Sequence, residues 1–310
     1  MKCKCEKNCI KSSTDILNSI DDYEPCDDCT KRTLKKAMPL KNQVKLDQID
    51  ENYKRCSTCQ KRHIDFVMAH ILKIMIDNNQ ISDSGSIRKV GTPLVTPAFY
   101  LEYLPYLNEN SLVIITKTVD KETADKIFLE VPEVKAVIFG DTSKTVGQLS
   151  ENDEVYQYEL LSGCDIRCDV QNTPSKTLLI YKEQSKIHIE YPKKESPKIQ
   201  DVDEILSKYE NPTVIDAMTG PGTLGMYALT KNAKKVLFND IYDTALENLK
   251  INLKINGFDS NYEILNEDIK NLPNKIHEKY DIGLIDAFPG IDIEKYKKEL
   301  KKVCKEVFII

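Results

Sequence analysis

The first sustained hydrophobic rhythm in the chain runs from Cys56 through Asn78. Ile64, Val67, Met68, Ile71, Leu72 and Met75 recur there at three- and four-residue steps. The spacing predicts one amphipathic helix with the pair Cys56 and Cys59 at its N-terminus. A break, SDSGS at 82–86, leads to short β-rich apolar runs at 111–117, 135–140, 177–182 and 186–191, with a helical pattern at 120–130. These predict strands, the last two forming a hairpin through EQS, in an α/β or α+β layer of unreadable role.

After PKKESPKIQD (192–201), which reads as a linker, the rhythm changes again. Apolar runs at 213–218, 235–240, 261–265, 280–286 and 306–310 alternate with helical patterns near 223–231, 243–256 and 292–304. Strands alternating with helices predict a parallel sheet. The expected fold class is α/β: a Rossmann-like doubly wound sheet over 200–310, preceded by a smaller α/β or α+β domain (85–195) and a Cys-rich, metal-binding module with its helix (1–80).

Composition narrows the setting. The 310 residues are 41% apolar and 30% charged, which fits a soluble globular chain. No stretch reaches the ~18 uncharged apolar residues of a membrane helix. The opening MKCKCEKNCIKSS lacks the apolar centre of a signal peptide, so a cytoplasmic location and no membrane partner are expected. Net charge is −5, but Thr30–Arg62 holds ten Lys or Arg against three acids, a local +7. That excess fits a phosphate-binding face or an ordinary solvated surface.

Seven of the ten cysteines lie within the first 59 residues. In a cytosolic chain such density points to metal or redox chemistry rather than disulfides. CDDCTKRTLKKAM (26–38) and CSTCQKRHIDFVM (56–68) share one pattern at an offset of thirty residues. Cys26, Cys29, Cys56 and Cys59 therefore supply four thiolates, enough to close a tetrahedral zinc site. A helix N-terminus at the second pair would favour thiolate through its dipole. His63 is a substitute ligand or a plain helix-surface residue. Cys3, Cys5 and Cys9, with Cys164 or Cys168, fit an iron–sulfur cluster or exposed thiols, and Cys304 fits a core position.

The stretch DAMTGPGTLG (216–225) is a Gly-x-Gly-x-x-Gly loop between a strand and a helix. Such a loop suits a dinucleotide pyrophosphate, S-adenosylmethionine, or a bare tight turn. Acids close the strands at Asp216 and Asp240, and Asp268 follows the third. Asp240 suits the ribose diol of NAD or S-adenosylmethionine alike. Asp216 separates them: a carboxylate beside the loop repels pyrophosphate and favours an ammonium and a sulfonium.

With NDI at 239–241, NEDI at 266–269 and DAFPG at 286–290, this region resembles the class I S-adenosylmethionine-dependent methyltransferases. NDIYDTALENLKINLKINGF is similar to RNA-modifying members, including archaeal tRNA guanine-26 dimethyltransferases. The resemblance implies that Gly220 and Gly222 admit the methionine moiety and Asp240 holds the ribose. It further implies that Ile241 packs on the adenine, that Asp268 receives its amino group, and that Asp286 orients the methyl acceptor. Ala287 departs from the proline-bearing fourth-strand motifs of that family.

The leading expectation is thus a methyltransferase acting on RNA or a small cofactor precursor, with a homodimer as a candidate assembly. The alternative is a metal- or iron–sulfur-carrying cofactor-assembly protein with a methyltransferase-like scaffold. The fifth strand ends at Ile310, which predicts a sheet edge covered by the middle region or another subunit, or left short.

Overall fold

The helix of the first hydrophobic rhythm forms, but later and deeper than its spacing implied. In the computed structural model, which describes residues 3, 8–148, 155–288 and 291–310, helix α1 runs Ile64–Asp77. Phe66, Ala69 and Ile74, outside the predicted apolar face, are also buried. A helix apolar nearly all round belongs inside a core. It cannot begin at Cys56, because Cys56–Gln60 closes a tight turn (Gln60 N–H to Cys56 C=O, 2.9 Å). Arg62–His63 then pairs antiparallel with Tyr106–Leu107.

The chain divides into two compact units, residues 2–146 with 157–167 and residues 147–156 with 168–310. In the first, strands β1 (Thr92–Val95), β2 (Leu112–Thr116), β3 (Val134–Phe139) and β4 (Glu159–Gly163) form one sheet in that order. The central pair is parallel and joined by helix α2 (Lys121–Glu130), whose first turn is capped by Asp120 (2.8 Å to the Thr123 N–H). The outer strands are antiparallel and gave no signal: β1 contains Pro93, and β4 (ELLSG) has neither alternation nor a long apolar run. Tyr23, Leu34, Leu40, Val44 and Ile49 bury into the same cluster as α1, so the Cys-rich segment is anchored by apolar side chains as well.

In the second unit, β5 (Ile166–Gln171) pairs with β6 (Leu178–Glu183). The hairpin expected from 186–191 does not form. Lys186 and Ile187 fold back on the Glu183 carbonyl (2.9 and 3.0 Å), and β6 takes β5 as its partner instead. The expected linker also fails at its end, since Pro197–Leu206 is helix α3, with Pro197 in its first turn and Ile199, Val202, Ile205 and Leu206 buried.

Then follow β7 (Thr213–Asp216), α4 (Thr223–Lys231), β8 (Lys235–Asn239), α5 (Asp243–Ile255), β9 (Tyr262–Leu265), β10 (Tyr280–Ile285), α6 (Ile293–Leu300) and β11 (Cys304–Ile309). The five strands are all parallel in the order β9-β8-β7-β10-β11, the doubly wound sheet expected. Val214, Phe238, Ile282 and Leu284 fill one apolar cluster, and Ile215, Leu237, Ile285 and the buried Cys304 another. On the outer strand β11, Lys305 and Glu306 are exposed, and charge of this kind blunts a sheet edge.

Helix α5 carries a feature its apolar pattern hides. Asn248, Asn252 and Asn256, four residues apart, are buried, and their side-chain oxygens accept the N–H groups of Glu183, Tyr181 and Leu179 (2.8, 2.7 and 2.9 Å). The Asn252 and Asn256 amides donate back to the carbonyls of Tyr181 and Leu179 (3.1 and 2.8 Å). The outer edge of β6 is thus paired by side chains instead of a strand.

Candidate functional site

The strand order reverses between β7 and β10, and in sheets of this kind ligands bind beyond the strand ends at that point. The glycine loop lies there. Gly220 and Gly222 take left-handed φ values of 53° and 98°, open to glycine without strain. A Cβ at Gly220 would meet nothing within 4 Å, whereas one at Gly222 would stand 2.2 Å from Leu249 of α5. Open space thus lies over Gly220, while Gly222 serves close packing.

Asp216 is 1% exposed, and its Oδ2 accepts from Thr219 Oγ1 and the Gly225 N–H, both at 2.8 Å. Burial pushes its pKa up to about 7, with the charges of Asp286 and Asp240 adding to the shift. It holds the loop to α4 from beneath, and any effect on a ligand's charge acts from there. Gly225 permits this: a Cβ would lie 2.3 Å from Phe238 and 2.9 Å from Asp216 Oδ2.

Asp240, just past β8, accepts the Gly220 N–H (2.8 Å) through Oδ2 and the Tyr242 N–H (2.9 Å) through Oδ1. Burial raises its pKa, against those hydrogen bonds. Each oxygen keeps further acceptor capacity toward a diol. Ile241 beside it is 48% exposed, an apolar surface at the rim. Asp268 caps a single 3-10 turn (Lys270 N–H, 2.9 Å) and pairs with Lys270 Nζ (3.2 Å).

Two asparagines outside the sequence candidates bind these loops together. Asn239 donates to the carbonyls of Ala217 (3.1 Å) and Glu267 (3.0 Å), and its own carbonyl accepts from the Thr219 N–H (2.9 Å). Asn266 donates to the carbonyls of Asp240 and Ile241 (2.8 and 3.0 Å). The polar end of KVLFND was the available signal for Asn239.

Asp286, after β10, forms an ion pair with Lys198 of α3 at 2.6 Å. Burial pushes its carboxyl above the usual range against that pull, and the carboxylate in turn raises Lys198. Lys198 also approaches Glu190 (3.5 Å), which meets the buried Lys182 (3.1 Å), itself 2.8 Å from Asp169. His188 stands edge-on to Phe288, ring centres 5.5 Å apart. Lys198 lay in the supposed linker, where nothing in the pattern marked it. Pro289 and Gly290 of the DAFPG motif lie outside the described residues.

In the other unit, the sulfurs of Cys26, Cys29, Cys56 and Cys59 all lie within 4.8 Å of one another. The closest approaches are 3.7 Å (Cys26–Cys29), 3.6 Å (Cys26–Cys56) and 3.4 Å (Cys29–Cys59). Thiolates around one zinc at about 2.3 Å stand about 3.8 Å apart in a tetrahedron, so the four residues fit that ion. The helix dipole is not what favours thiolate here, because α1 begins five residues beyond Cys59. The N–H groups of Cys59 and Thr58 bring Cys56 down to about 7, while burial pushes Cys29 up to about 12. His63 is not part of this sulfur cluster: its buried ring accepts the Asp65 N–H (3.1 Å) as the cap of α1.

Part of the +7 segment is spent inside the fold. Arg62 and Arg55 pair with the buried Glu133 (2.6 and 3.7 Å), whereas Lys41 meets Asp83 at the surface (2.7 Å). Lys31, Lys35, Lys36, Lys45 and Lys54 remain exposed. No helix among the described residues is long and apolar enough to cross a membrane.

Residues 192–309 match the family described as Conserved hypothetical protein 95. Over 108 residues the chain is 32% identical to an uncharacterized RNA methyltransferase of Clostridium acetobutylicum, covering 34% of this chain and 23% of that protein. The C-terminal third is similar to RNA methyltransferases. Over 78 residues it is 37% identical to the tRNA (guanine(26)-N(2))-dimethyltransferase of Pyrobaculum arsenaticum, covering 24% of this chain and 21% of that one. The chain thus spans less than a quarter of the length of these curated relatives. A solved structure of P. horikoshii TYW2 in complex with MeSAdo is 15% identical, covers 76% of each chain and has a TM-score of 0.47. The matched relatives give no support to the cofactor-assembly alternative.

Proposed function

We propose that the C-terminal sheet binds S-adenosylmethionine and that the chain methylates RNA. The observation that carries this reading is the Asp240–Gly220 hydrogen bond at the strand-order reversal. It joins the acid after the second strand to a glycine loop with open space above it. The relatives over the same third are RNA methyltransferases by name, which supports RNA as the substrate class. The cofactor supplies an electrophilic methyl group, and the chain's residues bind and orient around it.

In this reading Asp240 receives the ribose diol, and Ile241 covers one face of the adenine. Asp268, already turned into its own cap by Lys270, offers its second lone pairs to the exocyclic amine. Gly220 lets the methionine end approach the backbone. Asp286 would orient the methyl acceptor, with Lys198 balancing its charge; with that partner it works by position rather than as a free base. The four-cysteine cluster holds a structural zinc ion that fixes the exposed lysines of the basic segment as a phosphate-binding surface.

Tritiated methyl transfer from S-adenosylmethionine into total RNA, then into fractionated tRNA and rRNA, tests the reading. Incorporation that Asp286→Ala lowers more than it lowers cofactor affinity is expected. Tight cofactor binding with methylation of a small molecule or protein but of no RNA fraction would remove RNA and leave the cofactor site standing.

A further inference from the structure

A second sulfur cluster lies apart from the first. The sulfurs of Cys3, Cys9 and Cys164 fall within 4.8 Å of one another, Cys3 and Cys164 at 3.5 Å, although 161 positions separate those two in sequence. None of the three is in a disulfide, and all belong to the first unit. We propose that Cys3, Cys9 and Cys164 bind one soft divalent metal ion, zinc by preference.

The spacing selects a single ion. Thiolates sharing one ion at about 2.3 Å stand about 3.8 Å apart, whereas thiolates on separate irons of a cluster stand farther from each other. A single ion is thus the alternative to the iron–sulfur cluster expected for these cysteines. Its other candidate, Cys168, belongs to the second unit and turns its sulfur toward the Asp169 carbonyl at 3.8 Å. Cys5 lies outside the described residues.

Charge balance points the same way. Lys135 on β3 is 8% exposed, and its Nζ stands 2.7 Å from Cys9 Sγ. A buried ammonium needs a strong acceptor; a neutral thiol is a poor one and a thiolate a good one. Three thiolates on a divalent ion carry a net charge of −1, which one ammonium cancels. The backbone is shaped for the arrangement too. Gly163, at φ 81°, leaves no room for a Cβ, which would lie 2.2 Å from the Lys135 carbonyl; that same carbonyl accepts the Cys164 N–H at 3.0 Å. The close approach of β4 to β3 thus sets Cys164 beside Lys135.

With the four-cysteine cluster, the first unit would then carry two metal centres.

Elemental analysis of the whole protein, with cadmium-113 NMR of the substituted form, tests this. Two metal equivalents per chain and two resonances are expected, one from each cluster. Cys9→Ser, and independently Cys3→Ser near the terminus where folding is least exposed to the change, should each remove one resonance and one equivalent. Cys56→Ser should remove the other resonance and leave that one in place. A single equivalent lost only with Cys56→Ser would overturn the proposal. So would iron and sulfide that vanish with Cys9→Ser.

Discussion

Between residues 216 and 268 the candidate site is made of backbone: two glycines at positive φ, N–H groups aimed by strand ends, and acids whose oxygens tie one loop to the next. Between residues 26 and 59 it is made of side chains, four sulfurs at the tips of two turns within a segment that has only short helical pieces. The first kind of site inherits its shape from a sheet whose apolar core forms without any ligand. The second holds its sulfurs at contact distance, where four thiolates repel one another unless an ion lies among them. The difference teaches that a ligand should be dispensable for folding in one region and indispensable in the other.

Chelation should separate the two most strongly. At structural zinc sites binding energy is largely folding energy, so amide protection across residues 24–62 should fall by roughly a thousandfold or more. Hydrogen exchange read by mass spectrometry checks this, with the loss greatest in the turns at Cys26–Cys29 and Cys56–Cys59 and smaller between them, where Leu34, Leu40 and Ile49 bury in the same cluster as α1. The strands of the C-terminal sheet should keep their protection. Equal loss in both regions would erase the distinction.

Gly225→Ala attacks the sheet site from within its packing. Its Cβ would enter the space of Phe238 and Asp216, an overpacking that costs about 1–3 kcal/mol. Urea unfolding of the second unit should register it while the sulfur-bearing loops stay protected. Asn252→Ala should cost about 2 kcal/mol in the same unit, because the Tyr181 N–H and C=O and the Pro221 C=O lose their shared partner. An Asn252→Ala protein of unchanged stability would show that water satisfies β6 equally well.

Acid should act on the other unit. Burial and the neighbouring Arg62 bring His70 down to about 4 from 6.5, against the pull of Asp50 at 3.0 Å. The unfolded chain therefore binds the proton first. The stabilisation is fully present above pH 6.5 and is lost as pH falls from there toward 4, on the order of 3 kcal/mol. Denaturant midpoints measured across that window check it, and His70→Gln should flatten the slope.

What could be read in advance follows the same division. The three inner strands of the parallel sheet announced themselves because each buries a continuous apolar run, as in KVLFN and YDIGLI. The glycine loop and Asp240 were legible because backbone geometry demands those residue types. Lys198 was not, since a lysine near prolines looks like a linker until α3 brings it to Asp286. The asparagine ladder was visible as three asparagines at four-residue steps, but only β6 gives their amides a purpose. In the Cys-rich segment the residues to watch were plain, while their setting was misjudged: a turn rather than a helix end carries Cys56 and Cys59. Periodicity cannot show where a helix starts when His63 and Asp65 set that boundary through side-chain hydrogen bonds.

The central claim is that the loop at 216–225 and Asp240 form an S-adenosylmethionine site. Calorimetric titration of the intact protein tests it most directly, with S-adenosylmethionine, its demethylated product and NAD in parallel. Low-micromolar or tighter binding of the first two is expected, weakened by about 1.5–3 kcal/mol in Asp240→Ala as the diol loses a charged acceptor. No heat with either ligand, beside tight binding of NAD, would contradict the account.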